Sequence, residues 1–229
     1  MTRIKADLPD SLTAPDNALA KPGIRRGTQA HRSASMRRRL VDAAIACLCE
    51  VGYAATTIQM VTEEAGVSRG AMLHHFPTKL DLIIAVGEFA AAAQNRHVRA
   101  HLSQVPEGPQ RFLALTEATW EAICEPPALA LIEIMVASRS DPILHERFPP
   151  VIQALENQQL EDVLQMAKEL GINDDVTVSG MVRLHRAAMR GLVIERAFVG
   201  QGEGIAGGME LLRRHKRTLT AQLLVEAMH

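Results

Sequence analysis

Residues 66–82 read GVSRGAMLHHFPTKLDL, a short segment that glycine and proline separate from longer helical patterns on either side. Gly66 can adopt the left-handed backbone conformation that a sharp turn between helices requires. Ser68 is a good N-cap for a helix of about seven residues, and Pro77 stops that helix after Phe76. The segment therefore predicts a tight turn followed by one short helix.

Two further helices are predicted upstream of this turn. A first helix starts near Ser35 and ends at Gly52, because apolar residues form one helical stripe at Leu40, Ala44, Cys47, Leu48 and Val51. Thr56 or Thr57 can cap a second, short helix, whose inward side would be Ile58, Val61, Thr62 and Ala65. Three helices, the last two short and joined by AGVS, predict a helix-turn-helix whose third helix enters the major groove of DNA.

The composition favours an all-α protein. Of the 229 residues, 47% are hydrophobic and only 3% are aromatic, which is typical of helices packed on helices. No apolar run is long enough to span a membrane, and the polar, proline-rich N-terminus lacks the apolar core of a signal peptide. Three cysteines without framework spacing fit a reducing compartment. We therefore predict a cytoplasmic protein with no membrane partner.

Positive charge is concentrated at the front of the chain. Nine Lys/Arg face three Asp/Glu before Leu40, although the net charge of the whole chain is −1. This distribution is typical of a nucleic-acid-binding head, with a solvated tail as the alternative. Prolines at 9, 15 and 22 predict a flexible basic arm over residues 1–33. Beyond a long fourth helix from about Thr78 to His101, helices are predicted near 109–124, 127–138, 142–170, 175–199 and 206–228.

Residues 37–83 resemble the TetR family of bacterial transcriptional regulators. The matching motifs, in the family's order and spacing, are Thr56-Thr57 before helix two, Ala65-Gly66-Val67-Ser68 at the turn, Gly70 at the start of the recognition helix, His75-Phe76 at its end and Lys79 opening helix four. The chain departs from the family at Val61-Thr62, where Ile-Ala is usual. It also has Leu73 where a phosphate-binding Tyr is common, which removes one backbone contact.

The resemblance implies roles for individual residues. Thr57 and Lys79 are expected to hold phosphates, and Arg69 and His74 to contact base edges. Gly70 and Ala71 would permit close approach to the DNA, and His75 would either fix the turn or contact a phosphate. The full predicted DNA-binding set is Thr57, Ser68, Arg69, Gly70, Ala71, Leu73, His74, His75 and Lys79. Arg25, Arg26 and Arg32 could enter an adjacent minor groove.

The resemblance also implies a domain division. Residues 1–33 would be the basic arm, residues 34–94 the DNA-binding domain with its helix-turn-helix at 57–76, and residues 95–229 a helical domain for effector binding and dimerisation. A homodimer through the last two helices is predicted from small residues at Gly180, Ala187, Ala188 and Gly191 and from a near-heptad stripe at Met209, Leu212, Leu219 and Leu223. Packing of these residues within one chain is the alternative.

A small-molecule effector is predicted to bind in the larger domain. The candidate pocket residues are Phe112, Trp120, Met135, Arg139, Phe148, His185 and Met189. An ordinary helical core is the alternative for the apolar members of this set. Few polar residues occupy inward positions, so we expect an apolar effector. No cofactor and no metal site is predicted.

Other functions stay open at this point. His97 and His101 lie four residues apart on one helix face and could supply two metal ligands, which would suit a metal-assisted helical enzyme. The sequence contains no nucleophile elbow, Walker loop, zincin motif or Cys-x-x-Cys pair, so we predict a non-enzyme. A non-specific DNA-compacting or scaffold protein is the second alternative. The main prediction is a sequence-specific regulator of transcription, a repressor that an effector releases from a palindromic operator.

Overall fold

The computed structural model describes residues 29–200 and 202–228. Within these ranges the chain forms ten α-helices and no strand, so the all-α prediction is confirmed. The helices are α1 Gln29–Ala55, α2 Ile58–Ala65, α3 Arg69–His75, α4 Lys79–Leu102, α5 Pro109–Ile123, α6 Pro126–Ala137, α7 Pro142–Arg147, α8 Pro149–Glu169, α9 Asp175–Val199 and α10 Glu203–Glu226.

The first helix is longer than predicted at its N-terminal end. Residues 29–33, which were assigned to the flexible arm, belong to α1. No glycine or proline lies between residues 28 and 51, so nothing in the sequence stops the helix from extending toward the N-terminus. Arg32 is therefore an exposed helical residue, whereas Arg25 and Arg26 lie outside the described residues. Gly52 interrupts α1 as expected, with a φ of 74°.

The segment predicted as one helix over 142–170 forms two helices instead. α7 ends at Arg147 and α8 begins at Pro149, with Phe148 between them. Pro149 and Pro150 carry no backbone N–H, so they cannot continue the hydrogen-bond ladder of α7. Phe148, the residue between the two helices, is buried.

One hydrophobic core joins the N-terminal helices to the body. It includes Leu40 of α1, Met72 of α3, Val86 of α4 and Leu131 of α6, together with Phe148. Gly87 makes this contact close, because a Cβ there would lie 2.6 Å from Cε2 of Phe148. The continuous helix α4 crosses the predicted domain boundary at residue 94, so the head and the body share one structural element.

The predicted dimer stripe on α10 packs inside its own chain. Met209 and Leu223 are buried, and Leu212 and Leu219 are half-buried against the same two clusters of the body. The alternative interpretation of this stripe, intrachain packing, is the correct one. Across the described ranges, no helix is both long and apolar enough for a membrane span.

Candidate nucleic-acid interface and ligand cavity

The turn between α2 and α3 has the geometry that the glycine predicted. Gly66 is left-handed, with φ 59° and ψ 42°, and its N–H is bonded to carbonyls of the last turn of α2. The N–H of Val67 reaches back to the Thr62 carbonyl at 2.9 Å, which closes the helix end. A Cβ at Gly66 would lie 2.9 Å from Nη2 of Arg39, so a side chain at this position would meet both strain and a close neighbour.

Helix α3 presents one polar side and buries the other. Arg69, Gly70 and His74 are exposed, whereas Met72 and Phe76 are 0% and 2% exposed. Ala71, Leu73 and His75 are half-buried at the boundary between the two sides. The two buried residues thus anchor a short helix whose exposed face matches the predicted base-reading positions.

Two arginines of α1 brace the helix-turn-helix. Arg37 donates from Nη1 to the His75 carbonyl at 2.8 Å, and its guanidinium lies 4.3 Å from the centroid of the Phe76 ring. Arg39 donates from Nη2 to the Gly66 carbonyl at 3.2 Å. Reasoning from the sequence treated these residues only as positive charge. Their position in the three-arginine run directly before the buried Leu40 was the available signal.

The two predicted phosphate-binding residues, Thr57 and Lys79, differ in the hydrogen bonds that they make within the chain. Thr57 caps α2 by accepting the Met60 N–H at 3.2 Å, and its hydroxyl proton has no partner among the described residues. Lys79 donates from Nζ to the Tyr53 carbonyl at 3.0 Å and lies 4.5 Å from the centroid of that ring. Burial lowers the pKa of Lys79, with the charge of Asp141 acting in the opposite direction. Lys79 thus keeps two of its three N–H donors for another acceptor.

Polar contacts tie the N-terminus of α4 to the body. Thr78 and Asp81 form a reciprocal capping box, and Oδ1 of Asp81 accepts from Arg147 of α7 at 3.0 Å. Tyr53 donates its hydroxyl to Oδ2 of Asp141 at 2.8 Å. We call Tyr53, Asp81, Asp141 and Arg147 the head–body junction. Through it, the start of α4 is connected to α7, and the end of α1 to Asp141, the N-cap of α7.

The body contains a cavity of about 690 Å³. The second half of α4 forms one wall, and α5, α8, α9 and α10 form the others. Of the seven residues predicted for an effector pocket, His185 and Met189 line this cavity. Its apolar surface comes mainly from Leu115, Met166, Leu170, Met181, Val182 and Met189.

The structure places the other five predicted pocket residues elsewhere. Phe112 is fully buried in a core cluster, and Phe148 is buried in the core shared with the head. Met135 packs on that same core, and Arg139 is exposed at the end of α6. Trp120 lines a second cavity of about 660 Å³, between α5 and α10. Helical spacing identified apolar faces correctly but could not distinguish a filled core from a cavity wall.

Sequence reasoning missed Lys216, which is 3% exposed and lines the large cavity. The signal was its register. Met209, Leu212, Leu219 and Leu223 repeat at three- and four-residue spacing, and Lys216 occupies the one inward position that would otherwise complete the stripe. A lysine at an inward position of an apolar stripe needs a physical reason.

His97 and His101 share a partner that sequence spacing did not reveal. Nδ1 of His101 lies 2.7 Å and Nε2 of His97 lies 3.5 Å from the same oxygen of Glu121 on α5. Burial opposes ionisation of Glu121, but the hydrogen bonds and charges of the two histidines outweigh it and lower its pKa. Among the described residues, no group of three or more His, Cys, Asp or Glu side chains could hold a metal ion.

Comparisons with known proteins agree with this geometry. The fold and the exposed, braced α3 define the class of helix-turn-helix DNA-binding proteins. Residues 40–86 match the family model described as bacterial regulatory proteins of the tetR family. The similarity to the tetR family model thus covers the helix-turn-helix region of this chain.

Individual relatives show how far the similarity extends. The HTH-type transcriptional regulator CymR from Pseudomonas putida is 34% identical over 122 residues, which are 53% of this chain and 60% of CymR. The match therefore spans about three fifths of that relative. The HTH-type transcriptional repressor AcnR from Corynebacterium diphtheriae is 26% identical over 80% of this chain and 93% of AcnR. A solved TetR transcription regulator from Haloarcula marismortui shares the fold, with a TM-score of 0.61 and 21% identity over 81% of this chain and 98% of that one.

Proposed function

We propose that this chain is a sequence-specific DNA-binding regulator of transcription, a cytoplasmic repressor that leaves a palindromic operator when a small molecule fills the large cavity. The observation that carries the proposal is the α3 surface. Arg69, Gly70 and His74 are exposed on a helix whose other side is locked into the core by Met72 and Phe76. A short helix held in this way can present side chains to base edges in a groove about 12 Å wide.

The contacts divide into base readout and positioning. Arg69 and His74 would read base edges, and Gly70 and Ala71 would let the backbone approach. Thr57, Ser68 and Lys79 would hold phosphates, and Leu73 and His75 would lie at the margin of the interface. Thr57 and Lys79 support this assignment because each retains hydrogen-bond donors that the chain itself does not use. Arg32 of α1, with Arg25 and Arg26 outside the described residues, would reach an adjacent minor groove.

We infer a homodimer through α9 and α10. One stripe of exposed residues without a charge runs along α9, at Val176, Gly180, Leu184, Ala187, Gly191, Ile194 and Phe198. On the neighbouring α10 the exposed line begins with Gly204, Gly207 and Leu211. Added Cβ atoms at the four glycines of these lines would meet no described atom within 4 Å. A second copy of the chain is the occupant we propose, because two equal apolar faces can pack on each other about a twofold axis and carry two reading heads.

A ligand would reach the head through α4. The second half of this helix contributes Asn95, Val98, Arg99 and Leu102 to the cavity, and its first residue contacts Tyr53 of the head. A ligand changes DNA affinity only by binding more tightly to one arrangement of the heads than to the other, and typical coupling is about 1–3 kcal/mol. The shared helix supports such coupling because neither end can move without the other.

Selection of binding sites from a random duplex library tests the DNA-binding part of the proposal. We expect a palindromic consensus that is bound about a thousandfold better than scrambled DNA, with a steep salt dependence. Arg69→Ala should weaken binding to the consensus by about 5- to 150-fold and relax the preference at one position of each half-site. Lys168→Ala, on α8 of the body, is the matched loss of one positive charge and should leave the preference intact. Equal affinity for consensus and scrambled DNA would instead support a non-specific DNA-compacting protein.

Sedimentation of two charge variants tests the dimer. Leu184→Glu places a carboxylate in the middle of the α9 stripe, where it would lose its hydration on association. We expect this variant to sediment as a monomer at concentrations at which the natural chain is a dimer. Gln153→Glu adds the same charge to an exposed position of α8 and should not change the mass. A Leu184→Glu dimer as tight as the natural one would place the interface elsewhere.

A further inference from the structure

Lys216 of α10 is a buried cation without an anion. Its side chain is 3% exposed, and its Nζ lies 3.4 Å from the centroid of the Phe112 ring, at the wall of the large cavity. Among the described residues it has no hydrogen bond and no ion pair. The face of an aromatic ring attracts an ammonium but accepts no ordinary hydrogen bond, so no described protein atom accepts from its three N–H donors at the cavity wall. Burial lowers the pKa of Lys216 to about 7.

The other cations of the cavity wall already have partners. Arg99 is paired with Asp162 at 3.2 Å, and Arg186 with Glu156 at 3.1 Å. Arg111 donates to the Val105 carbonyl and to Glu107. Glu156 also pairs with Arg190 at 2.9 Å, so two arginines share this carboxylate. Within the described part of the cavity wall, each of these arginines has an acidic partner, whereas Lys216 has none.

His185, a titratable group that also lines the cavity, does not compensate it. His185 of α9 is 7% exposed, and its Nε2 lies 3.0 Å from Nδ1 of His215. Burial, with smaller contributions from Lys216 and His215, lowers the pKa of His185 to about 4. The ring is therefore neutral near pH 7 and adds a polar group beside Lys216 without adding charge.

The rest of the cavity near this site is apolar and adaptable. Met166, Met181 and Met189 contribute flexible thioether side chains, and Leu115 and Val182 contribute branched ones. The volume of about 690 Å³ lies in the range of pockets that enclose a drug-sized molecule. A ligand that fits must therefore combine a sizeable apolar body with a group that satisfies one ammonium.

We propose that the cavity binds a monocarboxylic acid with an apolar body, whose carboxylate pairs with the Lys216 ammonium while the body packs among the methionines. The assignment rests on the proposed function of the cavity as the effector site. It replaces the expectation of a purely apolar effector. A charge-assisted hydrogen bond in a water-poor site is stronger than a neutral one. An amine would meet Lys216 with like charge, and a phosphate dianion would bring more negative charge than one lysine neutralises.

Calorimetric titration of the full chain without DNA tests this proposal. The probes are decanoate and 4-phenylbutanoate, each compared with its own primary amide at pH 6.5. We expect at least one carboxylate to bind about tenfold or more tightly than its amide. In Lys216→Met this preference should fall to about twofold or less, while the amide still binds, which shows that the cavity is intact. Lys168→Met, an exposed lysine on α8, should retain the preference.

Several results would overturn the assignment. One is equal binding of acid and amide by the natural chain, and another is an undiminished preference in Lys216→Met. A third is the absence of binding by all four probes. Decanal followed by borohydride is a further arm, and a covalent mass increase on Lys216 without any acid preference would assign carbonyl chemistry to the lysine instead. Operator binding is measured separately, so failure of the ligand class is distinguishable from failure of the regulator.

Discussion

The two regions that α4 connects, the head and the cavity, differ in how their polar groups are satisfied. In the head, Thr78 and Asp81 form a capping box at the start of α4, and Arg147 donates a hydrogen bond to Asp81. At the cavity, Lys216 faces the enclosed space without an anion. Buried polar groups in folded proteins normally find partners inside the chain. The capping groups at the start of α4 thus have partners within the chain, whereas Lys216 at the cavity wall has no anionic partner among the described residues.

The largest expected effect concerns the core that joins the two regions. Phe148→Ala should lower the free energy of unfolding by about 3–5 kcal/mol, because a fully buried ring is replaced by a void against Gly87. Chemical denaturation measures this difference. Ile143→Ala, at a position that is 63% exposed, should change stability by no more than about 0.5 kcal/mol. A loss below about 1 kcal/mol for Phe148→Ala would mean that head and body do not share one core.

The next effect concerns the pH dependence of stability that Lys216 causes, because it lacks the partners that the capping groups of the head have. The pKa of Lys216 is about 7 in the folded chain and 10.5 in the unfolded chain. Between these values the unfolded state binds more protons, so the free energy of unfolding contributed by Lys216 rises with pH. From pH 7 to pH 10, the natural chain should gain about 3 kcal/mol relative to Lys216→Met.

Denaturation of both chains across this pH range measures the gain. Lys168→Met is the control, because it removes a lysine from the half-exposed surface of α8 instead of the cavity wall. Parallel pH profiles for the natural chain and Lys216→Met would show that Lys216 is solvated in the folded protein. Such profiles would remove the difference between the partnered polar groups of the head and the unpartnered Lys216 of the cavity.

A smaller effect tests how firmly the turn of the head is fixed. Gly66→Ala should cost about 1–2 kcal/mol, because an L-residue at φ 59° is strained and its Cβ meets Arg39. Gly70→Ala, inside α3 with no close neighbour, should be neutral or stabilise the chain by up to about 1 kcal/mol. Gly70→Ala should nevertheless bind DNA with lower affinity than the natural chain, because the added methyl group prevents close approach. Unaltered affinity in Gly70→Ala would argue that this face of α3 does not contact DNA.

The smallest effect compares two threonine caps. Thr57→Ala and Thr78→Ala should each cost about 1 kcal/mol of stability, since each removes one N-cap. The hydroxyl of Thr78 donates to Asp81 at 2.7 Å, whereas the Thr57 hydroxyl proton has no partner among the described residues. Only Thr57→Ala should therefore weaken DNA binding, and it should do so about equally for every DNA sequence. Thr57→Ser, which keeps the hydroxyl group, is the control. Equal losses for both caps would remove Thr57 from the set of phosphate contacts.

The head was predictable from sequence because local chemistry determines it. Gly66, Ser68 and Thr57 act on backbone groups within four residues of themselves, so their effects can be read without knowledge of the fold. The braces from Arg37 and Arg39 were not predictable, because their partners lie 38 and 27 residues away. The break at Phe148 had a local signal in two successive prolines, which the helical periodicity on both sides concealed.

The cavity was largely unpredictable because it is a property of how five helices pack. Phe112 and Met189 have similar apolar surroundings in sequence, yet one fills a core and the other lines a cavity. Periodicity identifies the inward face of each helix but does not say whether the space in front of that face is filled. Lys216 did have a sequence signal, although the prediction missed it, because a charge at an inward position is improbable in a filled core.

Gly87 also gives α4 a mechanical character. At Gly87 the helix α4 lies close against the Phe148 ring, and this position divides the helix unequally. Residues 79–87 span about 12 Å and residues 87–102 about 22 Å at the usual rise of an α-helix. If Gly87 is the fulcrum, the longer arm lies on the ligand side, so a displacement there reaches Lys79 at about half its amplitude and with about twice its force. Such a lever is suited to small rotations of a head whose helices are held by capping contacts rather than to large displacements of a mobile head.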